Sequence, residues 1–165
     1  MDSMIVVVFG ASGSGKSTIG VALADRLGWR FVDADSYHSP ASVDRIRAGQ
    51  SLGDEDRRPW LHRLHEELAA AADRGESVVL ACSALKAKYR RILRGNLDDV
   101  RFVYLDVPVT VLRSRLEERS GHFAGVDILE DQLRDLEGPG DDEIGVDATL
   151  PPEAIVSAIR RALAV

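Results

Sequence analysis

The chain has 165 residues, of which 45% are hydrophobic and 29% are charged, with a formal net charge of −6 and a pI of about 5.2. This length and composition suit one soluble domain spanning residues 1–165, and the acidic balance argues against a nucleic-acid partner, which would need a basic face. The N-terminal apolar run is too short for a signal or membrane span, so we expect no membrane partner and a cytoplasmic location, and the single Cys82 excludes an intramolecular disulfide.

Strand-like and helix-like segments alternate along the chain. Strands are recognised as short apolar runs, and helices as stretches with apolar residues three or four positions apart. The predicted strands cover residues 5–9, 31–32, 78–82, 102–105 and 144–148. The predicted helices cover residues 16–27, 40–48, 56–74, 84–94, 109–119 and 127–136, and a last one opens at 151–153. This alternation predicts an α/β fold in which a parallel sheet is sandwiched by helices.

The segment GASGSGKS, residues 10–17, joins the first predicted strand to the first predicted helix. It fits the full pattern G-x-x-x-x-G-K-[ST], in which glycines turn backbone N–H groups toward a phosphate and the helix adds the positive end of its dipole. We expect ATP as the nucleotide, with Lys16 reaching its outer phosphates and Ser17 binding Mg²⁺. The predicted nucleotide-binding residues here are Gly10, Ala11, Ser12, Gly13, Ser14, Gly15, Lys16, Ser17 and Thr18.

The segment FVDADSYHS, residues 31–39, places two carboxylates at the end of the second predicted strand. Asp33 and Asp35 are two positions apart, so on an extended chain their side chains face the same way. Asp35 could take the proton of an attacking hydroxyl, Asp33 or Asp35 could orient Mg²⁺, and His38 could bind a polyol. The alternative is that Asp33 only caps a helix and that His38 is a surface residue.

A basic segment, CSALKAKYRRILR, follows the third predicted strand at residues 82–94. Lys86 and Arg90 are four positions apart and share a face near the predicted helix start. A helix N-terminus, a lysine and an arginine together favour a bound carboxylate or phosphate. The alternative is a basic, solvent-exposed helix face.

The segment RSRLEERSGHFAG, residues 113–125, is typical of a mobile lid. Arg115 and Arg119 share a helix face, and glycines lie on both sides of the segment that carries His122. Arginines on a closing lid stabilise charge on a transferred phosphoryl group, so we predict a lid over about residues 113–136. The alternative is a surface helix held by ion pairs.

Taken together, the motifs GASGSGKST, DADSYH, LGDEDRRPWL, CSALKAKYR, RLEERSGHF and LEGPGDDE occur in an order and at intervals that resemble the small P-loop gluconokinases. Members of that family phosphorylate D-gluconate at its 6-hydroxyl with ATP. The resemblance runs from about residue 5 to 160. It implies a nucleoside-monophosphate-kinase-like fold with a lid, the cofactors ATP and Mg²⁺, a sugar-acid substrate and a possible homodimer.

The resemblance also implies a role for individual residues. The residues expected to take part in catalysis are Lys16, Asp35 and Arg119, and those expected to contact the metal are Ser17, Asp33 and Asp35. Arg115 and Arg119 are expected to contact the nucleotide. The residues expected to bind the acceptor are Asp35, His38, Arg57, Lys86, Arg90, His122 and Gln132.

Six positions depart from the pattern of that family. Gluconokinases commonly carry H-P-x-x-N and K-M after the histidine, and P-L-N-D further on. The residues of this chain at those positions are Ser39, Ser42, Arg45, Ile46, Ser51 and Gly53. All lie on the acceptor side, so another sugar acid or shikimate stays open as the acceptor. A nucleotide-dependent regulator without turnover is the alternative from a different class.

Overall fold

The computed structural model describes residues 3–120 and 124–165, with side chains described for all of these except 119–120 and 124–127. The described residues form one sheet of five parallel strands, in the spatial order β2-β3-β1-β4-β5. The strands are Ile5–Phe9 (β1), Arg30–Asp33 (β2), Val78–Ala81 (β3), Val100–Asp106 (β4) and Ile144–Asp147 (β5). The predicted parallel sheet is therefore confirmed.

Helices connect the strands. They are Lys16–Leu27 (α1), Pro40–Arg47 (α2), Asp54–Asp73 (α3), Ala87–Arg94 (α4), Val109–Ser120 (α5), Ala124–Asp135 (α6) and Pro152–Leu163 (α7), and a 3₁₀ turn covers Ala34–Tyr37. None of the helices in the described part of the chain is both long enough and apolar enough to cross a membrane.

The central strand β1 is buried on both faces, as its continuous apolar sequence predicts. Val6 and Val8 pack into a core with residues of α1 and α7, whereas Ile5, Val7 and Phe9 pack into a second core with residues of α3 and α4. Successive side chains of a strand point to opposite faces, so this alternation places helices on both sides of the sheet. The predicted sandwich is confirmed.

The starts of α3 and α4 differ from the prediction, each for a local reason. Helix α3 begins at Asp54 rather than residue 56, and the Asp56 carboxylate accepts the backbone N–H of Gly53, which stabilises the first turn. Helix α4 begins at Ala87 rather than residue 84. Ala84 has a positive φ of 40° and Lys86 has an extended backbone, so the helix cannot start earlier.

Arg90 of α4 is a buried side chain, 3% exposed, that ties three segments of the chain together. Its Nε donates to the Glu143 carboxylate at 2.9 Å and its Nη1 to the Ala84 carbonyl at 2.7 Å. Its Nη2 donates to the carbonyls of Glu137 and Gly138. The guanidinium thus holds the loop before β5 against the segment between β3 and α4, and its donors are used within the fold.

We expect Arg90→Met to reduce the free energy of unfolding by about 3–5 kcal/mol, because it leaves a buried carboxylate and several carbonyls without their donor. Urea unfolding followed by circular dichroism measures this change. The matched control is Arg91→Met, since Arg91 is the exposed neighbour on the same helix, and its effect should stay within about 0.5 kcal/mol. Similar losses in the two variants would contradict this role of Arg90.

Candidate active site

The phosphate loop leaves the end of β1 and leads into α1. Gly13 and Gly15 have φ values of +85° and +94°, which L-residues with side chains rarely adopt, so both positions require glycine. Lys16 lies in the first turn of α1, and its ammonium donates to the Ala11 carbonyl at 3.1 Å. Thr18 is exposed on the same turn. The loop therefore has the backbone geometry of a phosphate cradle.

The two expected metal contacts from different segments lie next to each other. The Ser17 hydroxyl donates to Asp33 Oδ2 at 3.3 Å, and Asp33 Oδ1 accepts the backbone N–H of Asp35 at 3.0 Å. Asp33 therefore caps the 3₁₀ turn and also faces the phosphate loop, so the capping role and a role near the metal are compatible. Among residues 3–120 and 124–165, no group of three or more histidine, cysteine or acidic side chains could hold a metal ion.

A cavity of about 360 Å³ lies beside the phosphate loop. Six residues predicted to act on the nucleotide or the acceptor line it, namely Ser12, Lys16, Asp35, His38, Arg57 and Gln132. The reactive end of a bound nucleotide and an acceptor in this cavity would consequently meet at Lys16.

His38 is buried in the cavity wall, with 7% of its side chain exposed, so it is not a surface residue. Its ring stacks on Trp60 with centroids 4.2 Å apart and an interplanar angle of 17°. Trp60 is itself fixed by donating Nε1–H to the Ala34 carbonyl at 2.7 Å. Burial lowers the pKa of His38, and this effect outweighs the nearby Asp35, whose carboxylate is 3.9 Å from Nε2 and highly exposed.

Arg57 is the largely buried cation of the cavity, with 11% of its side chain exposed. Its Nη1 donates to the Tyr89 hydroxyl at 3.0 Å and lies 3.6 Å from Asp135 Oδ2. The Tyr89 hydroxyl in turn donates to Asp54. Hydrogen bonds from Lys88, Tyr89 and Lys86, in decreasing order of effect, hold the pKa of Asp54 well below its usual range.

Lys86 and Arg90 do not form the anion seat predicted from their spacing. Lys86 is the N-cap of α4, where its carbonyl accepts the Arg90 N–H, but its extended backbone means that the side-chain spacing of helical residues does not apply to it. Its ammonium contacts Asp54 at 3.1 Å and Asp135 at 4.0 Å, close to the cavity but not in its lining. Arg90 is buried elsewhere, against the loop before β5.

Two residues of the predicted lid contact the phosphate loop. Arg115 of α5 donates to the Gly13 carbonyl at 3.0 Å and to the Ala148 carbonyl at 3.3 Å, so it joins the loop to the segment after β5. Gln132 of α6 accepts the Ser12 N–H through Oε1 at 2.7 Å. The Arg119 side chain and the whole of His122 lie outside the described residues.

The cavity is also lined by residues to which the sequence analysis assigned no role in catalysis or binding. They are Val43, Ile46, Arg47, Gln50, Ser51, Leu52, Trp60, Ser83, Ile128, Asp131 and Asp135. Asp135 follows Gln132 by three positions, which places both on one helix face, so the helical spacing was a usable signal. For Arg47 and Gln50, at the end of α2, no comparable signal exists, because their position depends on how that helix packs.

Comparison with known proteins agrees with this geometry. A family model described as an AAA domain matches residues 5–139. The chain is 43% identical over 158 residues to a gluconokinase of Gluconobacter oxydans, which covers 94% of this chain and 89% of that protein. The structure of a sugar kinase from a Janibacter species is 42% identical, with a TM-score of 0.91 and coverage of 99% of this chain and 95% of that one.

A gluconokinase structure from Sinorhizobium meliloti is 38% identical, with a TM-score of 0.88 and coverage of 98% of this chain and 91% of that one. Identities at this level over nearly the full length of both chains extend well beyond the phosphate loop, which many families share. The TM-scores of the two solved structures agree with the parallel sheet that holds the loop. The chain belongs to the gluconokinase family of P-loop kinases.

Proposed function

We propose that this protein transfers the γ-phosphoryl group of ATP to the 6-hydroxyl of D-gluconate and forms 6-phospho-D-gluconate. The observation that carries the proposal is the shared position of Lys16, which belongs to the phosphate loop and also lines the neighbouring cavity. A kinase needs two such adjoining sites, one for each substrate. A nucleotide-dependent regulator without turnover has no need of the second site. Membership of the gluconokinase family supports gluconate as the acceptor.

The nucleotide side would be held mainly by backbone groups. The N–H groups of the loop from Gly10 to Thr18 and the N-terminus of α1 would face the phosphates, and Lys16 would exchange its contact with the Ala11 carbonyl for one with the transferred group. Arg115 would support the loop from α5. Arg119 is proposed as a further cation at the transferred phosphoryl group, and residues 113–136 as the lid.

The oxygen donors near the loop suit Mg²⁺, which prefers oxygen ligands and keeps several waters when bound with phosphates. Ser17 and Asp33 would hold the ion, and Asp35 would lie on the acceptor side. When bound, Mg²⁺ neutralises charge on the phosphate oxygens.

The acceptor would lie in the cavity with its 6-hydroxyl near Asp35. The hydroxyl oxygen forms the new P–O bond while the bond to the leaving phosphate oxygen breaks, and Asp35 takes the hydroxyl proton. His38, held neutral against Trp60, would hydrogen-bond an acceptor hydroxyl through Nε2. Arg57 would bind the carboxylate, with Lys86 close behind it, and Gln132 would join the acceptor side to the phosphate loop. Arg90 supports this site only through the fold.

The homodimer and the cytoplasmic location stay predictions. Size-exclusion chromatography with light scattering would measure the oligomeric state.

The acceptor can be identified with a coupled ADP-release assay that uses Mg-ATP and a panel of gluconate, other aldonic acids, shikimate and a nucleoside monophosphate. We expect turnover on gluconate to exceed that on every other member, because the cavity combines Arg57 for a carboxylate with Asp35 and His38 for hydroxyls. Preferred turnover on another acid would overturn gluconate as the substrate. ADP formation that is the same with and without every acceptor would overturn the kinase.

Phosphoryl transfer has a loose transition state, so charge neutralisation should matter more than proton removal. We therefore expect Lys16→Ala to lower kcat by about 10³-fold and Asp35→Asn by about 10²-fold. Steady-state kinetics at saturating gluconate and ATP give both values, and thermal unfolding checks that each variant is folded. Comparable kcat losses in the two variants would show that proton removal lowers the barrier as much as charge neutralisation does.

Burial of His38 also predicts how stability depends on pH. Its pKa is lowered in the folded state, so the unfolded chain binds more protons as the pH falls below about 6.5. The contribution of the neutral His38 ring to the free energy of unfolding is therefore complete above about pH 6.5. It is lost as the pH falls from there toward the lower pKa of the folded state. We expect His38→Gln to reduce the loss of unfolding free energy between about pH 7.5 and 5.5, measured by urea titration. An unchanged pH dependence in the variant would contradict a buried, neutral His38.

A further inference from the structure

Helix α6 presents two acids to a cavity that we assign to an acidic substrate. Asp131 and Asp135 both line it, on either side of Gln132. Asp131 is already engaged at the cavity edge, where it accepts from the Ser51 hydroxyl and pairs with Arg134. Asp135 differs because its partners are the cations at the proposed carboxylate site. A carboxylate in that position raises the question of what it does to an anionic ligand.

Asp135 contacts Arg57 only loosely. Its Oδ2 lies 3.6 Å from Arg57 Nη1 and its Oδ1 lies 4.0 Å from Lys86 Nζ, both beyond the usual hydrogen-bond distance. The Asp135 side chain is 37% exposed, whereas that of Arg57 is 11% exposed. The acid is thus the more accessible partner of a charge pair without a direct hydrogen bond. A ligand carboxylate that makes hydrogen bonds to the guanidinium could displace it.

Asp54 neutralises the neighbouring lysines, so the charge of Asp135 acts mainly on Arg57. Asp54 accepts from both Lys86 and Lys88, and these contacts lower its pKa. Within the described part of the chain, Arg57 donates no hydrogen bond to a carboxylate, and its Nη1 donates instead to the neutral Tyr89 hydroxyl. Among the described residues, Asp135 is the one acid paired with Arg57.

We propose that Asp135 is a specificity-determining residue that competes with the acceptor carboxylate for Arg57 and so weakens the binding of anionic acceptor and product. This inference rests on the proposed function, because it takes the acceptor to be a sugar acid. Before the acceptor binds, Asp135 partly neutralises Arg57. Once the ligand carboxylate reaches Arg57, Asp135 is displaced and also repels the ligand. Asp135 therefore weakens the binding of anionic ligands and leaves the binding of a neutral polyol unchanged.

The test compares Asp135→Asn with the wild-type protein. We expect the Kd of gluconate and of 6-phospho-D-gluconate, measured by isothermal titration calorimetry, to fall by about twofold to fivefold, the range for one partly exposed charge pair. D-Glucitol, a neutral polyol of similar length, tests the charge dependence. Its inhibition constant in the coupled assay should be unchanged by the substitution. A merely structural role of Asp135 would shift all three ligands together.

The matched control is Glu130→Gln, which removes one negative charge from the same helix. Glu130 is 54% exposed, pairs with Arg113 at 3.2 Å and does not line the cavity. We expect this variant to bind both anions as the wild type does. Tighter anion binding in both variants would show that the effect comes from the overall charge of the protein and would overturn the proposal. Unchanged or weaker binding of gluconate in Asp135→Asn would overturn it as well.

Failure of the proposed function gives a different result from failure of this inference. If the wild-type protein prefers another acid in the acceptor panel, gluconate is the wrong substrate, and the same two variants are then compared on the preferred acid. Tighter binding of that acid by Asp135→Asn alone would support the competition between carboxylates. If the wild-type protein accepts no acid, there is no anionic acceptor for Asp135 to compete with, and both proposals fail.

Discussion

β1 is hydrogen-bonded to a parallel strand on each side and buried on both faces, so the phosphate loop starts from a fixed point. The carboxyl ends of β2 and β3 lie at the same edge of the sheet, since all the strands are parallel. This edge brings Asp33, at the end of β2, within 3.3 Å of Ser17. Strands β1 and β2 are not neighbours in the sheet, because β3 lies between them. Ser17 reaches Asp33 because α1 begins directly after the phosphate loop. The proposed nucleotide and acceptor sites both depend on this arrangement.

Two largely buried arginines of this acidic protein, Arg90 and Arg57, are neutralised to different extents by their neighbours. Arg90 is buried with its donors directed to a carboxylate and backbone carbonyls, so its charge is used to hold the fold. Arg57 is also mostly buried, but its contacts are a neutral hydroxyl and a carboxylate 3.6 Å away. A buried cation with incomplete compensation attracts an anionic ligand more strongly than one whose partners are already in place. The same type of side chain therefore stabilises the fold at one position and is available to a ligand at the other.

The sequence was sufficient to predict what depends on local pattern. The strands and the phosphate loop follow from apolar runs and glycines, and the structure agrees with both. The shared orientation expected for Asp33 and Asp35 on an extended chain does not hold, because Asp35 lies in the 3₁₀ turn that Asp33 caps. The sequence was also insufficient where partners come from far along the chain. Arg90 is bound by residues 137–143, some 50 positions away, and nothing in the basic segment 82–94 indicates them. The proposed role of Asp135 likewise depends on its contact with Arg57, which is 78 positions earlier in the chain and could not be predicted from the sequence near Asp135.

The departures from the family pattern can be understood from their contacts. The Ser39 hydroxyl accepts the Ser42 N–H at the start of α2, which is an ordinary helix cap.

Arg45 pairs with Asp56 and donates to the Ser51 carbonyl, and the Ser51 hydroxyl donates to Asp131 of α6. Gly53 donates its N–H to the same Asp56. The residues at these positions therefore bond to one another or to Asp56 and Asp131, around the loop between α2 and α3.

Of the six positions, Ile46 and Ser51 line the cavity, and the Ser51 hydroxyl is directed to Asp131. A proline at position 51 has no hydroxyl, so the serine adds a link between this loop and α6 that a proline could not make. The residues proposed to recognise a hydroxyl and a carboxylate, His38 and Arg57, are not among the departures. The changes on the acceptor side thus alter how the cavity wall is held together more than what the wall presents to an acceptor.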